Sequence, residues 1–377
     1  GGFDTKSECQ KLGTGLHPGP SPLRRLTRAE YDNTLADVLN DTSKPGKDFP
    51  PEARALGFNN IADAQTVTTL LAEAYKTAAE GVADRASKNA STLLGCSETD
   101  GACVDAFIMR FGTRAYRRPL AADEAQRLHA VYAWGQANTN ALDGVKMVLE
   151  VLLQSPDFLY RPELGADEAA PGVLHLSSYE MATRLSYLFR GSAPDQILLD
   201  EAAADRLKTV DQVRTQAERL LADPRARETF KSFHRQWLDL EQVATLDRDP
   251  ALYAGYTDAI PGLLQQETEA FIDHVIFDDG GKLKTLLTAP YTFANGALAA
   301  FYGLAAPAGD AFALVATDPA QRKGLLTQGS LLALQAKPQQ TSPVHRGKFV
   351  RESLLCQFLP PPPANLVIMP PELNPSL

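Results

Sequence analysis

The sequence predicts an all-α fold: a two-lobed, multi-helix assembly with an extended proline-rich C-terminal tail. Three observations carry this. Two helix starts have complete capping boxes, three Asp-Pro steps offer further starts, and no segment shows sustained apolar/polar alternation bounded by turn residues.

The first box is Thr27-Arg28-Ala29-Glu30. The threonine hydroxyl can accept from the Glu30 amide while the glutamate reaches back to the Thr27 amide. Leu26 and Tyr31 take the staple positions, and Leu35, Val38 and Leu39 continue the apolar face. Ser177-Ser178-Tyr179-Glu180 repeats the device, with Leu176 and Met181 as staple and Leu185, Leu188 and Phe189 behind them. Asp223-Pro224 and Asp318-Pro319 predict helices opening at the prolines, where a missing amide hydrogen costs little, and Asp249-Pro250 is a third such step. Periodicity predicts further helices over 66–89, 104–111, 122–137, 142–154, 210–221, 261–275, 294–301 and 347–355.

Gly and Pro punctuation divides the chain into an extended segment over 1–20, an N-terminal helical lobe over 21–161, a linker over 162–175, a C-terminal helical lobe over 176–359, and a tail over 360–377. The run Pro360 to Pro363, with three more prolines beyond it, excludes helix and central strand there. Net charge is −9 with arginines dispersed among helices, which argues against nucleic acid as a partner. No stretch approaches the roughly 18 to 20 apolar residues of a membrane helix. The chain starts at Gly1 without methionine, so any export signal has been removed or left out, and a lipid anchor upstream of Gly1 is compatible with this start.

Of four cysteines, Cys96 and Cys103 flank a polar loop between helical segments, where a local disulfide closes easily. Cys9 and Cys356 then pair with each other or stay free, or Cys356 is a small buried hydrophobe on an amphipathic helix.

Nucleotide-binding glycine motifs, a nucleophile elbow, His-Glu-x-x-His and Cys-x-x-Cys are all absent, and the six histidines are dispersed, so the sequence contains no metal motif. Four polar clusters remain. Arg114, Arg117 and Arg118 crowd one short segment and read as clamps on helix C-termini and carboxylates, with Arg117 and Arg118 as the anion-site alternative. Arg184 stands four residues after Glu180, the spacing of an intrahelical ion pair. Glu267, Asp273 and His274 share a helical stretch with Glu269, and with His345 they are the candidate acid, base or metal-ligating side chains. In Thr341 to Lys348 a helix predicted to open at Gly347 would place Arg346 and Lys348 at its start, against the macrodipole, making both candidate anion ligands. His345 and His274 are the candidate haem ligands.

The segments 25–35 (RLTRAEYDNTL), 114–120 (RAYRRPL), 179–195 (YEMATRLSYLFRGSAPD) and 341–356 (TSPVHRGKFVRESLLC), with the prolines 360–363, resemble the planctomycete-cytochrome-type family of linked domains of unknown function, found in planctomycetes and myxobacteria. Residues 233–238, 266–271 and 294–303 are similar to its other helices, and the resemblance runs in order along nearly the whole chain. Ala121 departs from it, standing where a capping threonine or serine is usual. The resemblance implies an exported, helical, often lipid-anchored protein, periplasmic, outer-membrane-associated or extracellular. Longer members continue into a domain with Cys-x-x-Cys-His, the haem c attachment site, which this sequence lacks. No catalytic residue transfers.

The resulting expectation is the helical body of a cytochrome-like electron-transfer protein, with haem c on a separate C-terminal part or partner chain and no cofactor motif of its own. The alternatives are a non-catalytic scaffold of the cell envelope, and a hydrolase or metal enzyme with a Glu/Asp/His site assembled in the tertiary structure.

Overall fold

The computed structural model describes residues 18–249, 251–253, 255–307, 309–357 and 359–360. Cys9, most of the expected N-terminal segment and nearly all of the proline-rich tail lie outside the described residues. Helices dominate, as predicted, and the chain forms two compact units that divide between Gln236 and Trp237. Among the described residues, no helix is long and apolar enough to cross a membrane.

The first unit opens with strand β1 (Arg24–Arg25) and helix α1 (Arg28–Leu39), followed by α2 (Thr69–Ser87), α3 (Ala90–Leu94), α4 (Gly101–Tyr116), α5 (Ala122–Asn138), α6 (Ala141–Gln154) and α7 (Pro156–Leu159). Both halves of the Thr27/Glu30 box are formed, and the staple residues Leu26 and Tyr31 are buried. Tyr31 enters an aromatic centre with Phe49, Tyr75 and Phe158, its ring 5.0, 5.7 and 5.8 Å from theirs. Such edge and tilted contacts add specific geometry to a large apolar burial. At the head of α5, Ala121 supplies no side-chain oxygen, yet its amide still donates to Glu124 Oε2 at 2.7 Å, so half of the box survives. Cys96 and Cys103 form the predicted disulfide, with Cα atoms 6.4 Å apart.

Two glycines let α5 and α6 touch backbone to backbone. A Cβ on Gly135 would stand 2.6 Å from Gly144 Cα, and one on Gly144 would stand 2.7 Å from Tyr132 O.

Strand β2 (Tyr160–Arg161) pairs with β1, and residues 162–175, expected to separate two lobes, lie inside this unit and carry the hairpin β3 (Asp167–Ala170) and β4 (Val173–His175). Helices α8 (Ser178–Arg190), α9 (Gln196–Ala203), α10 (Val210–Leu221) and α11 (Pro224–Trp237) follow. The Ser177/Glu180 box forms as predicted. Glu180 is therefore drawn toward the Ser177 amide and also accepts from the Leu164 and Gly165 amides. Arg184 accordingly pairs with Glu163 at 2.8 Å instead of forming the hydrogen-bonded pair with Glu180 that the spacing suggests.

The end of α8 is held by charge. Arg190, 8% exposed, has Asp223 at 3.0 Å, Asp195 at 3.6 Å and Asp37 at 3.7 Å around its guanidinium. Arg219 and Arg225 flank the aspartates, and Ser192 Oγ donates to Asp37.

The second unit contains α12 (Ile260–Phe277), α13 (Leu283–Thr288), β5 (Tyr291–Ala294), α14 (Gly296–Tyr302), β6 (Ala313–Ala316), α15 (Gly329–Leu334) and α16 (Pro343–Phe349), the last continued by a π turn over Val350–Leu354. Its core is built on Leu264, Phe271, Val275, Leu298, Leu325 and Leu331. The antiparallel pair β5–β6 was not anticipated, and its residues 291–293 precede the predicted start of a helix at 294. Asp223-Pro224 opens α11 as expected, whereas Asp318 caps only a single turn over 319–321 and no helix opens at Pro319. Gly324, at φ +60°, turns the chain instead toward the Ala289 carbonyl.

Two outcomes are expected. Gly144→Ala should destabilise the protein by about 1–3 kcal/mol in chemical denaturation, because the methyl group has no room between the helices. Arg190→Ala should cost about 3–5 kcal/mol by leaving three aspartates around an empty position.

Candidate functional site

The candidate acid of α12, Glu267, is completely buried. Helical periodicity turns it inward with Leu264, Phe271 and Val275, and a carboxyl group on that face must find donors there. Thr292 Oγ1 on β5 donates to Oε1 at 2.6 Å, and Tyr302 Oη at the end of α14 donates to Oε2 at 2.5 Å. The Gly329 backbone amide at the start of α15 is a third donor. Beside it, Thr268 and Ser330 hydroxyls meet at 2.6 Å. One carboxyl group thus ties α12, β5, α14 and α15 together.

Burial pushes the Glu267 carboxyl above its usual range, with the two hydroxyls, the Arg322 charge and the Gly329 amide acting in the opposite direction. Burial and the neighbouring carboxyl push the Tyr302 phenol up as well. The Arg322 guanidinium lies over the Tyr302 ring, 3.6 Å from its centroid. The recess in front of Glu267, bordered by Thr292, Arg322 and Gln328, has a volume of about 10 Å³. That is room for roughly one water molecule. A carboxyl group holding three donors in so small a space is suited to fixing structure and exchanging a proton, and it leaves no room for an organic substrate.

The other sequence candidates are placed elsewhere. Asp273 is half-buried and, six residues along α12, stands roughly 120° round the helix from Glu267. His274 packs its ring against Tyr291 and Phe293, with Asp278 at 3.7 Å. His345 is exposed on α16, its backbone amide donating to Ser342 Oγ. Among the described residues, no hydrogen bond or ion pair joins His345 to Glu267 or His274, and no group of three His, Cys, Asp or Glu side chains is arranged to hold a metal ion.

Helix α16 opens at Pro343, four residues before the predicted start. Arg346 and Lys348 therefore fall in its last turn, where cations favour the macrodipole, and the dipole argument for an anion at that point no longer applies. Arg117 is fully buried and donates to the carbonyls of Ala115, Asp157, Phe158 and Tyr160. Arg118 grips Glu124 through two bonds of 2.8 Å and Asp157 through a third, holding the Glu124 carboxyl down at about 2. Arg114 caps the Asp37 and Val38 carbonyls near the end of α1. Cys356 is exposed, which sets aside its reading as a buried hydrophobe.

Sequence reasoning placed Glu267 among the candidates but missed Thr292, Tyr302 and Arg322. The only signal for them is that a carboxyl group on an apolar helix face requires donors from somewhere.

Four family models match the chain in order, each described as a protein of unknown function: DUF1587 over residues 24–88, DUF1595 over 103–163, DUF1592 over 176–304 and DUF1588 over 322–377. The DUF1592 match crosses the division between the two compact units. No curated protein and no solved structure matches the chain.

In Glu267→Gln the pH dependence of stability should flatten. A carboxyl group whose folded value is raised contributes stability that is complete below its unfolded value of 4.5 and is lost as pH rises through the folded value. Urea denaturation of wild type and variant at intervals from about pH 4 to about pH 8 measures the difference, and parallel curves would contradict the raised value.

Proposed function

The chain belongs to the planctomycete-cytochrome-type family of linked domains of unknown function, and from that premise we propose that it is the helical body of an exported, cytochrome-associated redox protein. The observation that carries the reading is the ordered set of four domains along one chain. Export is supported by the Cys96–Cys103 disulfide, since such bonds persist in oxidising compartments and are rare in the reducing cytosol.

The residues present do not fit a covalently held haem. Attachment needs two cysteines in Cys-x-x-Cys-His, and the cysteines of this sequence stand at 9, 96, 103 and 356. Two of them are joined to each other. In this proposal haem c is carried by another polypeptide segment or partner chain, and this chain supplies a rigid frame for it. The Glu/Asp/His hydrolase alternative loses support from the geometry, because Glu267 is saturated with donors and Asp273, His274 and His345 do not converge on it.

Purification of the assembly from cells that naturally make it should yield a visible haem c spectrum from a co-purifying segment or chain. Mass analysis under non-reducing conditions should find Cys96 and Cys103 resistant to alkylation. An assembly without haem absorbance would remove the redox reading, and reactive thiols at both positions would remove the support for export.

A further inference from the structure

A cavity of about 380 Å³ lies in the second unit beside the start of α12, within the range of small-molecule sites. Leu246, Asp247, Arg248, Tyr256, Asp258 and Pro261 line it. Arg248 is only 7% exposed, yet its hydrogen bonds go to backbone carbonyls: Nη1 donates to Asp247 O at 2.8 Å and Nη2 to Ala333 O. Among the described residues, no carboxylate stands within ion-pairing distance of this guanidinium. That distinguishes it from Arg190, which is ringed by three aspartates. Two carbonyls answer the Arg248 guanidinium where the buried Arg117 gathers four, so it retains donors for an anionic group in the space beside it.

The same cavity holds the opposite sign. Asp247 and Asp258 are exposed on its lining, and no cation pairs with either carboxylate among the described residues. Arg248, Asp247 and Asp258 all act electrostatically on the Tyr256 hydroxyl, which donates to Leu246 O at 3.2 Å. Opposite charges therefore border one space without an ion pair between them, and Tyr256, Leu246 and Pro261 line the same space. A ligand complementary to this carries an anion and a cation a few atoms apart, plus an apolar group.

We propose that the cavity binds a free α-amino acid with an apolar side chain. Its carboxylate would meet Arg248 in a charge-assisted contact, its ammonium group would meet Asp247 and Asp258, and its side chain would lie against Tyr256, Leu246 and Pro261. This site is separate from the Glu267 centre and does not rest on the redox reading.

Isothermal titration of the full chain with leucine tests the proposal, alongside N-acetylleucine, leucinamide and acetate. Leucine should bind, and each analogue lacking one of the two charges should bind at least about tenfold more weakly. Asp258→Asn, an exposed change that leaves the fold intact, should weaken leucine by a similar factor with unaltered thermal unfolding of the unliganded protein. Arg248→Lys should weaken it as well, and the Asp258 variant decides if that buried change disturbs folding. Absence of binding at millimolar leucine, equal binding of N-acetylleucine, leucinamide or acetate, or unchanged affinity in Asp258→Asn would overturn the proposal.

Discussion

A guanidinium cannot be left in a protein interior without acceptors, and the first unit is organised around meeting that demand. Arg117 sits just past the end of α4 in a left-handed conformation, fully buried, and gathers four carbonyls from its own turn, α7 and β2. Three of those carbonyls, from Ala115, Asp157 and Phe158, stand in the last turns of α4 and α7, where acceptors lack partners within their own helix, so one side chain completes two helix ends together. The Tyr187 ring lies within cation–π distance of this guanidinium and of that of Arg161, 5.8 and 4.7 Å from its centroid. Tyr187 in turn shares a 2.8 Å hydroxyl contact with Thr34 of α1, which places α1, α4 and α8 in one connected arrangement.

Arg190 extends the same logic with carboxylates in place of carbonyls. Asp37, Asp195 and Asp223 come from three distant parts of the sequence, and Asn33 donates to the Gly191 carbonyl beside them. The segments 25–35, 114–120 and 179–195, which carry much of the family resemblance, thus meet in a structural network. In this chain those segments supply the partners of buried charges. The segment 341–356 contrasts with them: α16 has no buried residue, so Arg346 and Lys348 are not used in this way.

The second unit has one buried carboxyl group at its centre where the first has buried arginines. Glu267 accepts from a strand, a helix end and a helix start, and the Arg322 guanidinium lies over the ring of its donor Tyr302. Its neighbours fill the surrounding space, which is why the most chemically suggestive acid of the sequence serves as a fastening. The cavity at Arg248 shows the converse, with charges of both signs and volume between them.

The sequence by itself determined the helical class and where α1 and α8 begin, because a capping box involves residues three apart whose geometry does not depend on the rest of the chain. The Cys96–Cys103 bond and the start of α11 were legible for the same local reason. What only the tertiary structure decided involves competition between distant partners. Arg184 could have paired with Glu180, but Glu163 was nearer once Glu180 was occupied at the helix start. Asp318-Pro319 has the local signature of α11, yet Gly324 and the β5–β6 pairing carry the chain another way. Glu267 was visible as a candidate, and its meaning was not, since Thr292 and Tyr302 lie 25 and 35 residues further on. Local hydrogen bonds can be read from spacing alone; which distant group answers a buried charge is settled only when the chain has folded and desolvated both.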